Sequence, residues 1–112
     1  MPRKPVVTLP TDFFETENVR ALYMKKGGDE ALIVYMQLLC MAVKQNQEGK
    51  LMLYGNIPLD DSTIARLTYK SEKAIETCMQ TLIEFKLITQ SLEGVYSIAG
   101  MQNNPKKKIA SD

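Results

Sequence analysis

Six residues in the second half of this 112-residue sequence carry side chains suited to a duplex groove: Lys70, Ser71, Lys73, Thr77, Gln80 and Thr81. A lysine neutralises a phosphate or approaches guanine, and glutamine and threonine hydrogen-bond base edges. Acids are interleaved with them. Glu72, Glu76 and Glu84 fall on or near the same helix face, and a carboxylate set against phosphates is repelled unless it accepts from a cytosine amino group. The same residues also describe an ordinary solvated helix surface, so two readings stand side by side. More positive charge sits at the ends, in Arg3-Lys4 and in Lys106, Lys107 and Lys108. These can grip phosphates as flexible arms or simply keep the chain in solution.

Other chemistry finds little to work with. The sequence has no histidine, and its two cysteines, Cys40 and Cys78, form no CxxC pair. That inventory leaves no zinc site of the usual kind and no disulfide framework. Both thiols fall inside apolar helical patterns and are expected to be buried, in a reducing compartment. There is no P-loop, no GxSxG elbow and no GxGxxG turn, and Gly27-Gly28 lie between two helices. Asp60-Asp61 invites a magnesium site, but a helix N-terminus attracts acids through its dipole and explains the pair more simply. The expectation is a domain with no catalytic residues, no metal and no cofactor.

The totals agree with a single domain. The hydrophobic fraction is 45%, enough for one core, and 24% of residues are charged. Net charge is only +1, whereas dedicated DNA-binding domains usually carry a clear positive excess. Any nucleic-acid contact must therefore come from a local patch. The longest apolar run, residues 31–43, is broken by Gln37 and is too short to span a bilayer. The N-terminus lacks the apolar core of a signal peptide, so no membrane association and a cytoplasmic location are expected.

The elements that would position these residues can be read in order. Three prolines among the first ten residues suit an extended arm, and Val6, Val7 and Leu9 alternate along it in a way that suits docking on a partner. A first helix begins within 11–18, with Asp12 and Glu15 as a capping pair or Thr16 as the cap. Phe13, Phe14, Val19, Leu22 and Tyr23 or Met24 form its stripe, and Gly27-Gly28 stop it. Asp29 caps a second helix over 30–45 that is apolar nearly all round and so central. A polar loop leads to a short strand at Leu51 and Leu53, with Tyr54 as an alternative last residue. Residues 55–60 read as a loop ending in a cap at Asp60, followed by a short helix with Ile64, Ala65 and Leu67 inward. After the turn Tyr69-Lys70-Ser71, an amphipathic helix buries Ile75, Cys78, Met79, Leu82 and Phe85. A hairpin then runs from Leu87 to Ile98, turning at 91–94.

Helix, turn, longer helix and hairpin make the order of a winged helix-turn-helix. The expected fold is mainly α (α+β), with extra N-terminal helices and a small antiparallel sheet that the strand near Leu51 can join. Leu39, Ile64, Leu82 and Phe85 should be buried. The wing tip, Ser91-Leu92-Glu93, lacks the arginine or lysine that a minor-groove wing carries. Domain bounds follow: an arm over 1–10, a winged-helix domain over 11–102, and a basic tail or linker over 103–112.

From Thr11 to about Asn104 the sequence resembles the N-terminal region of phage replisome organiser proteins. The resembling stretches are TDFFETENVRAL, IVYMQLLCMAVKQ, GKLMLYGNIPLDD and TIARLTYKSEKAIETCMQTLIEFKLI, followed by EGVYSI. That family is similar in turn to the N-terminal domains of DnaD-like primosomal proteins and certain plasmid replication initiators. The resemblance implies a role in starting phage or plasmid replication, by binding double-stranded origin DNA and helping to assemble the host helicase or its loader. It also implies that the chain is a domain of a longer initiator or a short relative. Two functions remain open. One is a duplex-DNA reader using the helix after Ser71, and the other is a protein–protein module that forms a homodimer or higher oligomer.

Overall fold

The computed structural model describes residues 6–45, 49–53 and 57–99. Pro10 opens the first folded element: its carbonyl accepts from the Phe13 N–H at 3.0 Å, starting a 3₁₀ turn over Phe13–Glu15. Helix α1, Glu17–Met24, follows directly. Neither Asp12 nor Thr16 caps through its side chain, contrary to the capping pattern in the sequence. The Thr16 hydroxyl instead donates back to the Phe13 carbonyl at 3.0 Å, which fixes the corner between turn and helix.

Phe13, Val19 and Leu22 are buried, but Phe14, Tyr23 and Met24 are exposed, so the α1 stripe is narrower than its composition suggested. The two glycines do different jobs. Gly27 takes a left-handed conformation, φ 78°, which costs little without a Cβ. Gly28 starts α2, Gly28–Gln45, so close to the Leu22 carbonyl that a Cβ would overlap its oxygen. Asp29 therefore lies inside the first turn rather than capping it, and its carboxylate accepts from the Glu30 N–H.

Helix α2 is the centre of the fold. It buries Ala31, Leu32, Val34, Tyr35, Leu38, Leu39 and Ala42. The helix is nevertheless not enclosed on every side. Ile33 is 57% exposed, and Cys40, expected to be buried, lies one heptad further along on the exposed side. Only Cys78 is a buried thiol.

Beyond α2, β1 (Met52–Leu53) pairs antiparallel with β2 (Ile57–Pro58). The sequence read 55–60 as a loop. Proline argues against a central strand but is tolerated in this two-residue edge strand. The expectation for Tyr54 lies outside the described residues. Helix α3, Asp61–Thr68, is capped by Asp60, whose carboxylate accepts from the Thr63 N–H at 2.9 Å. Ile64 and Ala65 face inward as expected, whereas Leu67 is 43% exposed. Thr68 takes the inward position instead, with its hydroxyl donating to the Ile64 carbonyl at 2.8 Å.

Helix α4, Glu72–Glu84, is capped by Ser71 as expected, with Oγ accepting from the Ala74 N–H at 3.1 Å. Its buried stripe is Ile75, Cys78, Met79, Thr81 and Leu82. Phe85 sits past the last turn and is only partly buried, because the packed stripe has ended there. The hairpin of β3 (Ile88–Gln90) and β4 (Tyr96–Ile98) pairs Ile88 with Ile98 and Gln90 with Tyr96. The strand segment near Leu51 does join it. Lys50 bridges Ser97, Leu51 N–H donates to the Tyr96 carbonyl at 2.9 Å, and Ile98 N–H donates to the Gly49 carbonyl at 2.8 Å. A mainly helical fold with a small antiparallel hairpin thus forms a winged-helix-like arrangement, and α2 packs on α1, α4, β1 and β4.

The packing makes a graded prediction for urea unfolding. Leu82→Ala, at a fully buried site, should cost about 2–5 kcal/mol. Phe85→Ala should cost less than the roughly 3–5 kcal/mol of a core phenylalanine. Gly28→Ala should cost about 1–3 kcal/mol or more by overpacking, while Gly27→Ala should be limited to the strain of its backbone. Equal losses at Gly27 and Gly28 would show that the close approach of α1 to α2 does not matter.

Candidate nucleic-acid interface

Helix α4 turns its polar side outward because its apolar residues recur at three and four and are taken up by α2 and α3. Lys73, Thr77 and Gln80 are exposed on that side. Together with Glu76, Glu84 and Lys25 they line an open groove of about 570 Å³. Lys25 comes from the end of α1, and its ammonium lies 3.9 Å from the Glu84 carboxylate. Among the described residues Lys73 has no ion-pair partner.

The other candidates stand differently. Thr81 lines the same groove, but it is only 9% exposed and belongs to the buried stripe. Ser71 is exposed, but its hydroxyl is committed to the helix cap. Lys70 points away from α4 altogether, since its ammonium meets the Glu30 carboxylate of α2 at 3.0 Å and its side chain is 26% exposed. Arg3, Lys4, Lys106, Lys107 and Lys108 lie outside the described residues.

Charge divides the two flanks of α4. On the hairpin side, one hollow is lined by Asp60, Asp61, Ser62 and Glu72 with Gln90, Gly94 and Tyr96. A second is lined by Asp61, Glu76 and Glu84 with Gln80, Ile83, Gln90 and Tyr96. Neither contains a cation. Phosphate is repelled there, and the wing tip offers only Ser91, Leu92 and Glu93, all exposed. The other flank carries Lys25 and Lys73 together with Glu76 and Glu84.

Both members of the Asp60-Asp61 pair have structural work. Asp60 caps α3, and the hydrogen bonds it accepts from Thr63 hold its carboxyl below the usual range. Asp61 accepts from the Tyr96 hydroxyl at 2.7 Å, which ties β4 to the first turn of α3. Burial first, and then that hydrogen bond and the Asp61 charge, push the Tyr96 phenol far above the tyrosine range. Among the described residues no cluster of three or more histidine, cysteine, aspartate or glutamate side chains is placed to hold a metal ion.

The turn between α3 and α4 adds two residues that the sequence did not single out. Tyr69 is 94% exposed at φ 61°, and Arg66 is exposed one turn earlier. The Lys70 N–H donates to the Ala65 carbonyl at 3.0 Å and the Tyr69 N–H to the Arg66 carbonyl. This closure usually places glycine at the left-handed position. An aromatic there costs roughly 1–2 kcal/mol. The signal in the sequence was the absence of Gly or Asn from a three-residue turn.

The family model for the N-terminal phage replisome organiser matches residues 6–111. The chain belongs to that family. No curated protein and no solved structure matches it. In this replisome-organiser domain the polar α4 face and the α3–α4 turn expose the candidate binding side chains Lys73, Thr77, Gln80, Arg66 and Tyr69.

Two measurements follow from this geometry. A phenol whose folded pKa is raised stabilises fully below the unfolded value of about 10 and loses that contribution as pH climbs towards the folded one. Stability of the wild type should therefore fall above about pH 10, and Tyr96→Phe should flatten that fall while lowering stability at neutral pH by roughly 1–3 kcal/mol. An unchanged alkaline slope would remove Tyr96 from the balance. Tyr69→Asn should leave stability level or raise it by up to about 1 kcal/mol, since asparagine tolerates the left-handed region. A clear loss would mean that the exposed ring is packed in solution.

Proposed function

We propose that this replisome-organiser domain binds duplex DNA at origin-like sites in the host cytoplasm and so helps to assemble the replication machinery. The carrying observation is the α4 face, where Lys73, Thr77 and Gln80 are exposed together in one groove beside Lys25. Lys73, which has no ion-pair partner among the described residues, supplies positive charge for phosphate, and Thr77 and Gln80 supply donors and acceptors for base edges. The α3–α4 turn adds the exposed side chains of Arg66 and Tyr69. The acidic hairpin flank is kept away from the backbone, so contact is one-sided. Lys106, Lys107 and Lys108 would add phosphate contacts that carry no sequence information.

So few cations imply weak binding by one protomer. The slope of log affinity against log salt should be shallow, roughly −2 to −5, at about −0.9 per phosphate. Lys73→Glu should weaken binding to every sequence. Gln80→Ala should relax preference at one base position at a cost of about 1–3 kcal/mol. If Lys73→Glu shifts duplex DNA as the wild type does in fluorescence anisotropy, α4 is not the reading helix.

A second reading, a protein-interaction module, has its own observation. Phe14, Tyr23 and Ile33 are each more than half exposed and border one hollow with Leu32, Asp29, Glu30 and Lys70. Contiguous exposed apolar side chains of this kind suit a partner. Val6 and Leu9 of the arm are also exposed, at 70% and 40%. If this surface joins copies, Tyr23→Ser with Ile33→Ser, or removal of residues 1–9, should turn an oligomer into a monomer by light scattering. A wild type already monomeric at tens of micromolar would discard self-association.

A further inference from the structure

We propose that Glu30 is a built-in brake on the DNA face, holding the Lys70 ammonium on α2 and so withdrawing one phosphate contact from the α3–α4 turn. This inference rests on the DNA-binding reading and concerns the control of that same surface. Lys70 precedes the Ser71 cap, at the N-terminal end of α4, which is where a groove-entering helix comes closest to the duplex. Its neighbours Arg66, Tyr69, Ser71 and Lys73 are all exposed. Lys70 alone is folded down, 3.0 Å from the Glu30 carboxylate, with only 26% of its side chain exposed.

The hold comes from a distant part of the sequence. Glu30 lies 40 residues earlier, in the first turn of α2, where a carboxylate is favoured by the helix dipole. Its position is fixed by the Gly27-Gly28 corner. The pair lies close to the buried Cys78 of α4, whose thiol is raised mainly by burial and then by the Glu30 charge, and is lowered by Lys70. The ammonium is thus matched to Glu30 over the body of the domain. A lysine whose charge is already matched releases no counterion when phosphate arrives. Exposed pairs of this kind are weak, so the contact can open, and phosphate and Glu30 compete for one ammonium.

The experiment uses the full chain and a labelled duplex, with anisotropy titrations from about 50 to 200 mM salt on wild type, Glu30→Gln, Lys70→Ala and the double variant. Circular dichroism confirms that each is folded. Glu30→Gln should tighten binding several-fold at low salt and steepen the salt slope by about 0.9, one phosphate's worth. That single contact corresponds to a gain that shrinks about threefold across the salt range. In the Lys70→Ala background the same change should do almost nothing, since the two effects act through one contact. An equal gain in that background would show that Glu30 acts by general repulsion and would overturn the inference. A loss of affinity in Glu30→Gln would show that Glu30 positions Lys70 for DNA and would overturn it too. Wild-type binding with an unchanged Glu30→Gln defeats the brake alone. No binding by any folded variant, even at low salt, defeats the DNA reading and the brake with it.

Discussion

The surface of α2 has to be covered, and the covering determines where every other element goes. Its buried residues occupy more than one side of the helix, so one partner cannot satisfy it. Helix α1 takes one side through Val19 and Leu22, and α4 takes another through Ile75, Cys78, Met79 and Leu82. Strand β4 takes a third with Tyr96 and Ile98. Gly28 belongs to the same constraint, because α1 can return onto α2 only where no Cβ stands against the Leu22 carbonyl. Once α4 is held by its apolar stripe, its polar residues have nowhere to go but outward. The exposed face is in that sense a by-product of core packing.

Electrostatics then decides which part of that face can meet a polyanion. Asp60 is held for capping and Asp61 for Tyr96, so acids near the hairpin are fixed by the fold rather than by ligand needs. They lie beside Glu72, Glu76 and Glu84, and a phosphate backbone lying across the wing would meet carboxylates along its length. Lys25 and Lys73 share their groove with Glu76 and Glu84, and Arg66 is exposed on α3. Acids and bases are thus interleaved along α4, and with a net charge of +1 long-range steering towards DNA would be modest.

Local signals were the legible ones. Asp60 and Ser71 were identified as caps because each precedes an apolar period by a fixed offset, and the cap bond spans three residues. The stripe of α4 and the hairpin followed from periodicity. What escaped needed the third dimension. Thr81 looks polar in sequence, yet it falls on the side α4 buries. Cys40 and Ile33 look like core residues, yet they share the side of α2 that nothing covers among the described residues. Strand β2 was hidden by Pro58, which a two-residue edge strand accepts. The Lys70–Glu30 contact joins positions 40 apart, and no pattern in either helix points to the other. Of the groove candidates, Lys73, Thr77 and Gln80 are exposed together, Thr81 lines the same groove from the buried stripe, and Lys70 is paired with Glu30.

The apolar hollow and the α3–α4 turn meet at one place, and that bears on how the two proposed functions would share this domain. Phe14, Tyr23 and Ile33 border the same hollow as Glu30 and Lys70. A protein segment lying on those apolar side chains would end against the ion pair. If it brought a cation, Glu30 would have a second claimant and Lys70 would be freer to meet phosphate. If it brought an anion, Lys70 would be held in the hollow and lost to DNA. The two readings of the domain are then not rivals for one surface but neighbours with a shared ion pair. The sign of their coupling is set by the charge that the partner carries.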